Sequence, residues 1–217
     1  DPISAFGGIV SCNFKIKKNL AIELNNLFFE VIIGNNFKND ALKILKKKKN
    51  LRLIDASNFS LSKVLNFNSA NENILVQSED RKIFTKKDFK IVSKIKPSKT
   101  QFDDLIFAFN ICRYVKSNAI VLASKKTTIG IGSGQPSRLD SCQIAIDKMK
   151  KFTKPYADIV AASDAFFPFI DGIEKLVQSG VKGVIQPSGS IRDKEVIKFA
   201  NETGTTLVFS KTRHFRH

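Results

Sequence analysis

Three polar loops in the last third of the chain carry the residue types best suited to binding chemistry. Residues 162–169 read Ala-Ser-Asp-Ala-Phe-Phe-Pro-Phe, residues 186–193 read Gln-Pro-Ser-Gly-Ser-Ile-Arg-Asp, and residues 213–217 read Arg-His-Phe-Arg-His. Arginine binds phosphate with a planar, two-pronged set of donors, and histidine exchanges protons near neutral pH. A rigid aromatic turn suits a flat heterocycle, and Asp171 follows it closely enough to accept hydrogen bonds from an amino-substituted ring. Since an apolar strand pattern precedes each loop, all three could gather at one sheet edge, where open α/β sheets bind ligands.

Two patterns beside these loops indicate helix starts. Ser137-x-x-Asp140 and Ser190-x-x-Asp193 have the spacing of a capping box. Free backbone N–H groups and the positive dipole end at a helix start suit an anionic ligand. Ordinary capping also accounts for either pattern alone.

Several simpler sites are excluded by the spacing of their residues. Residues 130–135 read Gly-Ile-Gly-Ser-Gly-Gln, so glutamine stands where the dinucleotide fingerprint needs its third glycine. The only two histidines, His214 and His217, have no carboxylate or thiol beside them, so we expect no transition metal. The three cysteines are widely separated and predict free, mostly buried thiols: Cys12, Cys112 and Cys142.

The strongly basic composition does not by itself indicate a nucleic-acid partner. The chain has 36 Lys and Arg against 20 Asp and Glu, which gives a net charge of +16. The basic runs lack the interleaved aromatics of RNA-binding surfaces, and the richness in Asn, Ile, Phe and Lys is also what A+T-rich codons favour. Attraction of anionic small molecules is compatible with the charge. No apolar run approaches the roughly 18 residues of a membrane span, and no signal-peptide pattern opens the chain, so we expect a cytoplasmic protein with no membrane partner.

Alternating strand and helix patterns predict an α/β fold with a mainly parallel sheet. In the second half, strands are expected near 119–124, 127–132, 158–163, 183–187 and 206–210, and helices near 102–109, 139–151, 171–179 and 192–203. The helix near 102–109 follows a Thr100-x-x-Asp103 capping box. The first half shows an apolar run at 31–33, a helical pattern at 41–45 and a strand pattern at 51–54. Asn- and Ser-rich and then charged stretches between residues 56 and 100 place a domain boundary at 95/96.

Ordered segments along essentially the whole chain resemble the bifunctional purine-biosynthesis family of AICAR transformylase/IMP cyclohydrolase. They are residues 1–8, 116–123, 130–138 and the three loops above. The resemblance implies cytidine-deaminase-like, three-layer α/β/α lobes, with residues 1–95 the later part of a first lobe and 96–217 the second. It implies transfer of a formyl group from 10-formyltetrahydrofolate to the 5-amino group of AICAR, giving FAICAR. It also implies a cytoplasmic homodimer and, in part of the family, a monovalent cation.

The same resemblance assigns roles to single residues. Catalytic roles go to Asn118 and His217. Nucleotide contacts go to Gly7, Glu30, Asn118, Arg138, Phe166 and Arg213, with Arg213 on the phosphate. Folate contacts go to Leu139, Phe169, Asp171, Ser190 and Ile191. Glu30 stands where family members often carry an aspartate for the ribose hydroxyls.

The family's catalytic Lys-His pair and its cyclohydrolase domain lie upstream of the segment with which this chain begins. We therefore expect part of a longer protein, with much of the binding surface but very low transformylase activity alone. The alternative is a non-catalytic nucleotide- or folate-binding module. A zinc deaminase is excluded because the H-x-E and P-C-x-x-C signatures are absent.

Overall fold

The computed structural model describes residues 5–60, 65–151 and 156–216. The chain divides into two compact units, one ending at Glu79 and the other beginning at Asp80. The sequence placed the boundary later, at 95/96. The structure places it earlier because the short strand at residues 89–91 pairs with the last strand of the chain, and Phe84 is buried in the second unit's core.

The first unit contains three parallel strands in the order β1 (Gly8–Cys12), β2 (Phe29–Gly34) and β3 (Arg52–Asp55). Helices α1 (Lys18–Asn25) and α2 (Asn39–Leu45) connect them, as parallel strands require. Apolar side chains of the strands and helices form one core cluster, which includes Ile16, Ala21, Ile32, Ala41 and Leu45. The strand and helix expected near residues 31–33 and 41–45 are confirmed.

A two-stranded antiparallel hairpin completes this unit and was not predicted. Strands β4 (Leu65–Ala70) and β5 (Asn73–Ser78) pair along their whole length, and every residue in them is exposed. Asn71 takes a left-handed conformation in the turn between them, with φ of 54°. Asparagine tolerates this conformation better than most residues, so the turn suits its sequence.

The second unit contains a six-stranded mixed sheet. Its strands are β6 (Phe89–Ile91), β7 (Ile120–Ser124), β8 (Thr127–Gly132), β9 (Ile159–Ser163), β10 (Val181–Pro187) and β11 (Thr206–Ser210). Their spatial order is β6-β11-β10-β9-β7-β8. Strands β8 to β11 run in one direction, and only β6 and β7 run the other way, so the expectation of a mainly parallel sheet is met.

Four helices pack on this sheet: α3 (Lys99–Cys112), α4 (Arg138–Lys151), α5 (Ile170–Gln178) and α6 (Asp193–Glu202). Alternate residues of β7 show that both faces are covered. Ile120 and Leu122 belong to a core cluster shared with α4, α5 and α6, whereas Val121 and Ala123 belong to a second cluster with α3. All five second-half strands and all four helices that the patterns predicted are present.

The start of α3 differs from the predicted capping box. Its cap is Ser98, whose hydroxyl accepts a hydrogen bond from the backbone N–H of Gln101 at 3.1 Å. Thr100 already lies inside the helix, and its hydroxyl is 3.0 Å from that of Ser98. The predicted cap, Thr100, lies two residues after the observed one. The prediction was wrong because Ser98 and Thr100 both have a plausible spacing to the first apolar turn of the helix.

Two glycines of β8 bring α4 unusually close to the sheet. A Cβ atom at Gly130 would lie 2.1 Å from the backbone oxygen of Ala145, and one at Gly132 would lie 1.9 Å from that of Ser141. Any side chain at either position would push the helix away. The glycines thus have a packing role, and they fix the position of the α4 start, where Arg138 stands.

Candidate functional site

A cleft of about 520 Å³ lies at the edge of the six-stranded sheet where the parallel strands β9 to β11 end. Its walls come from the segment before β7, the start of α4, the loop after β9, the start of α5 and the C-terminal segment. Residues lining it include Asn118, Pro136, Ser137, Arg138, Leu139, Phe166, Phe167, Phe169, Asp171, Arg213 and Phe215. Two of the three predicted loops therefore meet there.

A buried ion pair holds Arg138 at the base of this cleft. Its Nη1 atom donates to the carboxylate of Asp164 and, at 2.9 Å, to the hydroxyl of Ser163. The Asp164 side chain is fully buried, and that of Arg138 is 9% exposed. The other carboxylate oxygen of Asp164 accepts a hydrogen bond from the Ser117 hydroxyl. The charge of Arg138 is thus matched within the protein, and the guanidinium is fixed in place.

The same network orients Asn118. Its Oδ1 accepts a hydrogen bond from Arg138 Nη2 at 2.8 Å, and its Nδ2 donates to the backbone oxygens of Gln135 at 2.9 Å and Pro136 at 3.0 Å. With both amide hydrogens engaged, Asn118 offers the cleft an oriented oxygen acceptor more readily than a donor.

Aromatic residues and one carboxylate, from the loop after β9 and the start of α5, form a second part of the cleft wall. Phe166 and Phe167 both line the cleft, but Phe167 is 1% exposed and also belongs to the core. Phe169 is half exposed, and the guanidinium of Arg192 lies 4.7 Å from the centre of its ring. The Asp171 carboxylate is exposed at the start of α5, where one oxygen accepts the backbone N–H of Gly172 at 2.7 Å. This wall can stack on a flat ring and accept hydrogen bonds from it.

The C-terminal segment supplies the exposed cation of the cleft. The guanidinium of Arg213 lies 4.8 Å from the centre of the Phe215 ring. Within the described part of the chain, no carboxylate pairs with Arg213. The next residue, His214, is buried, and burial lowers its pKa, although the hydrogen bond and charge of Asp80 act in the opposite direction. The two residues therefore differ in role, because Arg213 is available to a ligand and His214 is not.

The remaining predicted residues lie elsewhere. Ser190 and the fully exposed Ile191 are near the start of α6 and do not line the cleft. Other residues of their loop contact the cleft wall: Arg192 lies over the ring of Phe169, and Gln186 Oε1 accepts the backbone N–H of Phe167 at 3.4 Å. Gly7, with φ of 73°, and the exposed Glu30 belong to the first unit. His217 falls outside the described residues.

Side chains of both predicted capping patterns accept backbone N–H groups, but only the first pattern caps a helix. The Ser137 hydroxyl accepts the N–H groups of Leu139 and Asp140 at 3.2 and 3.4 Å. At the second pattern, the Asp193 carboxylate accepts the N–H groups of Gly189 and Ser190 at 2.8 and 3.3 Å. The N–H groups that follow Ser137 are therefore engaged by its own side chain, whereas α6 begins at Asp193 after Arg192 and has no side-chain cap hydrogen bond. Anion binding at these two helix starts stays a prediction.

Sequence reasoning missed the polar residues that hold the site together. It quoted the segment with Ser163 and Asp164 but gave neither a role, and it gave none to Ser117. The available signal was a serine and an aspartate directly after the apolar residues 159–162, at the predicted ligand-binding edge.

No group of three or more His, Cys, Asp or Glu side chains among the described residues could hold a metal ion. No helix in the described ranges is both long and apolar enough to cross a membrane.

These features define a mixed α/β protein whose second unit carries a cleft lined by an exposed arginine, a carboxylate and aromatic rings. The AICARFT/IMPCHase bienzyme family model matches residues 1–148, and the chain belongs to this family. Bifunctional purine biosynthesis protein PurH from Leptospira biflexa serovar Patoc is 44% identical over 218 residues, and that from Aquifex aeolicus is 42% identical over 217. Each match covers 100% of this chain and 42% of the relative, so the chain spans less than half the length of these proteins.

Among solved structures, a dCMP deaminase from the cyanophage S-TIM5 aligns with 52% of this chain and 98% of its own. The TM-score is 0.35 and the identity 18%, a similarity too low to support an inference about fold or function.

Proposed function

We propose that this chain supplies the substrate-binding surface of an AICAR transformylase. The reaction is formyl transfer from 10-formyltetrahydrofolate to the 5-amino group of AICAR, giving FAICAR, in purine (IMP) biosynthesis. One observation carries the proposal: residues assigned to the two substrates by family resemblance line a single cleft, although they come from four separate stretches of sequence. They are Asn118, Arg138, Leu139, Phe166, Phe169, Asp171 and Arg213.

The two arginines of the cleft have different proposed roles, because only Arg138 is paired with a carboxylate. Arg138 is matched by Asp164 and fixed by three hydrogen bonds, so it orients Asn118 and contributes little net charge. Arg213 is exposed and keeps its fork of donors open. We therefore assign the phosphate of AICAR to Arg213 and the imidazole ring to the wall formed by Phe166.

The amine of AICAR is a poor nucleophile because its lone pair is delocalised into the imidazole carboxamide. Catalysis must align amine and formyl carbon, remove a proton and stabilise an oxyanion. The described residues lining the cleft include arginine, asparagine and aspartate but neither lysine nor histidine. In this proposal the cleft aligns the substrates, and the family's upstream Lys-His pair performs proton transfer and oxyanion stabilisation.

Isothermal titration calorimetry of AICAR against the 217-residue chain tests the assignment. Arg213→Ala is expected to weaken binding by about tenfold or more, as loss of a charged hydrogen bond does. Lys211→Ala removes the same charge two residues away and should leave the affinity within about twofold. A chain that is folded by circular dichroism but does not bind AICAR would refute the proposal, as would equal effects of the two substitutions.

The second candidate is a non-catalytic nucleotide- or folate-binding module, with which a described lining that offers binding groups but neither lysine nor histidine is equally compatible. Mass spectrometry of a mixture of chain, AICAR and 10-formyltetrahydrofolate separates the two. Under the transformylase proposal, joining the chain to its family's upstream Lys-His segment yields FAICAR, whereas a pure binding module yields none in either form.

Resemblance supports two further proposals, that the protein is a homodimer and that it is cytoplasmic. It also supports cytidine-deaminase-like lobes, with which helices on both faces of the six-stranded sheet agree. Sedimentation velocity at increasing protein concentration tests the dimer, and a strict monomer would count against it.

A further inference from the structure

His214 is buried between the two exposed residues with which the C-terminal segment lines the cleft. It is 2% exposed, while Phe215 is 40% exposed and Arg213 is also exposed. The imidazole packs on two phenylalanines of the α3 side of the core, with its centre 4.5 Å from that of Phe109 and 5.2 Å from that of Phe84. A polar ring in such a place needs a polar partner to offset its desolvation.

That partner is Asp80. Its carboxylate pairs with Nδ1 of His214 across 134 positions of sequence. Since a carboxylate only accepts hydrogen bonds, Nδ1 carries the proton of the neutral imidazole. Nε2 is buried and has no partner within the described ranges, so the Asp80 contact is the side-chain hydrogen bond that holds the ring there.

The backbone of the same residue ties the segment to the base of the cleft. The N–H of His214 donates to the backbone oxygen of Asp164 at 2.8 Å, and the Asp164 carboxylate holds Arg138. Arg213 is therefore one residue away from an anchor that is itself bonded to the Arg138 network. Displacement of the His214 ring would move Arg213 and Phe215 together.

We propose that His214 is a positioning residue whose hydrogen bond to Asp80 places Arg213 and Phe215 in the cleft. The identity of the ligand rests on the proposed function above, whereas the anchoring of the segment does not. Asp80 is 38% exposed at its side chain, so its replacement leaves no large cavity. One of its carboxylate oxygens also lies 4.0 Å from Nη1 of Arg113, whose side chain is 5% exposed, so both substitutions remove that neighbouring charge as well.

The test compares Asp80→Ala with Asp80→Asn. Both variants lose the charge, but only Asp80→Asn keeps an oxygen that can accept from Nδ1. Trypsin cleavage of the bond after Arg213, followed by mass spectrometry, reports on the segment without any ligand, and AICAR titration reports on the cleft. Asp103→Ala, which removes the exposed partner of Lys86, controls for the loss of an acidic residue.

In Asp80→Ala we expect cleavage after Arg213 to accelerate by about fivefold or more and AICAR affinity to fall by a similar factor, as for a lost hydrogen bond to a charged group. Asp80→Asn should recover most of both, and Asp103→Ala should behave as the wild type. Wild-type cleavage in Asp80→Ala would overturn the positioning role. If no variant binds AICAR but the cleavage pattern holds, the positioning role stands and the proposed function falls.

Discussion

The buried pair of Asp164 and Arg138 allows a quantitative test of what holds the site together. Replacing Asp164 by alanine leaves a guanidinium that is 9% exposed without its counter-ion and also removes the acceptor of the Ser117 hydroxyl. Breaking a buried pair from one side costs about 3–5 kcal/mol, because the remaining charge stays desolvated. With a typical urea dependence of about 2 kcal/mol per molar, the unfolding midpoint should fall by about 2 M.

The matched control is Asp103→Ala. Asp103 pairs with Lys86 at 3.3 Å, but both side chains are well exposed, at 33% and 49%. Such exposed pairs contribute about 0–1 kcal/mol, so the control should shift the midpoint by less than about 0.5 M. Asp164→Asn, which keeps the shape and one acceptor, should fall between the two.

Urea unfolding should be followed by far-ultraviolet circular dichroism, because the chain has no tryptophan. The two units can unfold separately, and the substitution should move only the transition of the second one. If Asp164→Ala and Asp103→Ala lowered the free energy of unfolding by the same amount within about 1 kcal/mol, the reasoning from burial would be refuted.

Three further predictions use other parts of the fold. Ser98→Ala should lower the free energy of unfolding by about 1 kcal/mol, because it removes the α3 cap, and Thr100→Ala should lower it by clearly less. Urea titration measures both, and a larger effect of Thr100→Ala would show that Thr100 is the cap after all. Burial lowers the pKa of His214 from its ordinary 6.5, so as pH falls the unfolded chain binds a proton there at a higher pH than the folded chain does. The free energy of unfolding should therefore fall as pH drops below about 6.5. Comparison of urea midpoints at pH 7.5 and 5.5 should show a weaker fall in His214→Leu, and an equal fall would contradict this assignment. With Ellman's reagent at pH 8, Cys12 alone among the three thiols should react in the folded chain, because the other two are buried. Burial also raises the pKa of Cys142 to about 12. Fast reaction of more than one thiol would contradict the packing.

Much of the second unit could be predicted because its patterns are local. Short apolar runs identified the strands, as is typical of a sheet covered on both faces, and a 3.6-residue repeat identified α3. The hairpin of β4 and β5 was missed because its many asparagines outweighed an alternation of apolar and polar residues in 65–68. The available turn signal was the asparagine at position 71, between the two strands, which takes a left-handed conformation in the structure.

The tight turn between β7 and β8 illustrates what local patterns cannot supply. Lys125 and Lys126 both have positive φ, 51° and 53°, a conformation that usually needs Asn-Gly or similar residues. The buried carboxylate of Asp104, on α3, accepts both of their backbone N–H groups at 2.8 and 2.7 Å. The stabilising group is about 20 residues away, so no short window of sequence contains the explanation.

The candidate site was predictable to a similar extent. Resemblance assigned ligand roles to residues that line the cleft. The loop positions predicted that all three loops could gather at one sheet edge, and two of them line the cleft. Resemblance did not reveal that Arg138 is neutralised or that Asn118 has both amide hydrogens engaged, since those contacts depend on the spacing between α4, β7 and β9.

The Asp164 network also has a consequence for the order of folding. It joins segments 26 and 47 residues apart in the chain, and the Asp80 and His214 contact spans 134. Contacts of such long range form late, because their loops must close before the contacts stabilise anything. In a hydrogen-exchange experiment, we expect the amide of His214 to be protected only once the six-stranded sheet is complete. A nascent chain lacking its last strand would then have the helices and the β7–β8 pair, whose glycines contact α4, but no cleft. Ligand binding would therefore indicate that the second unit is complete.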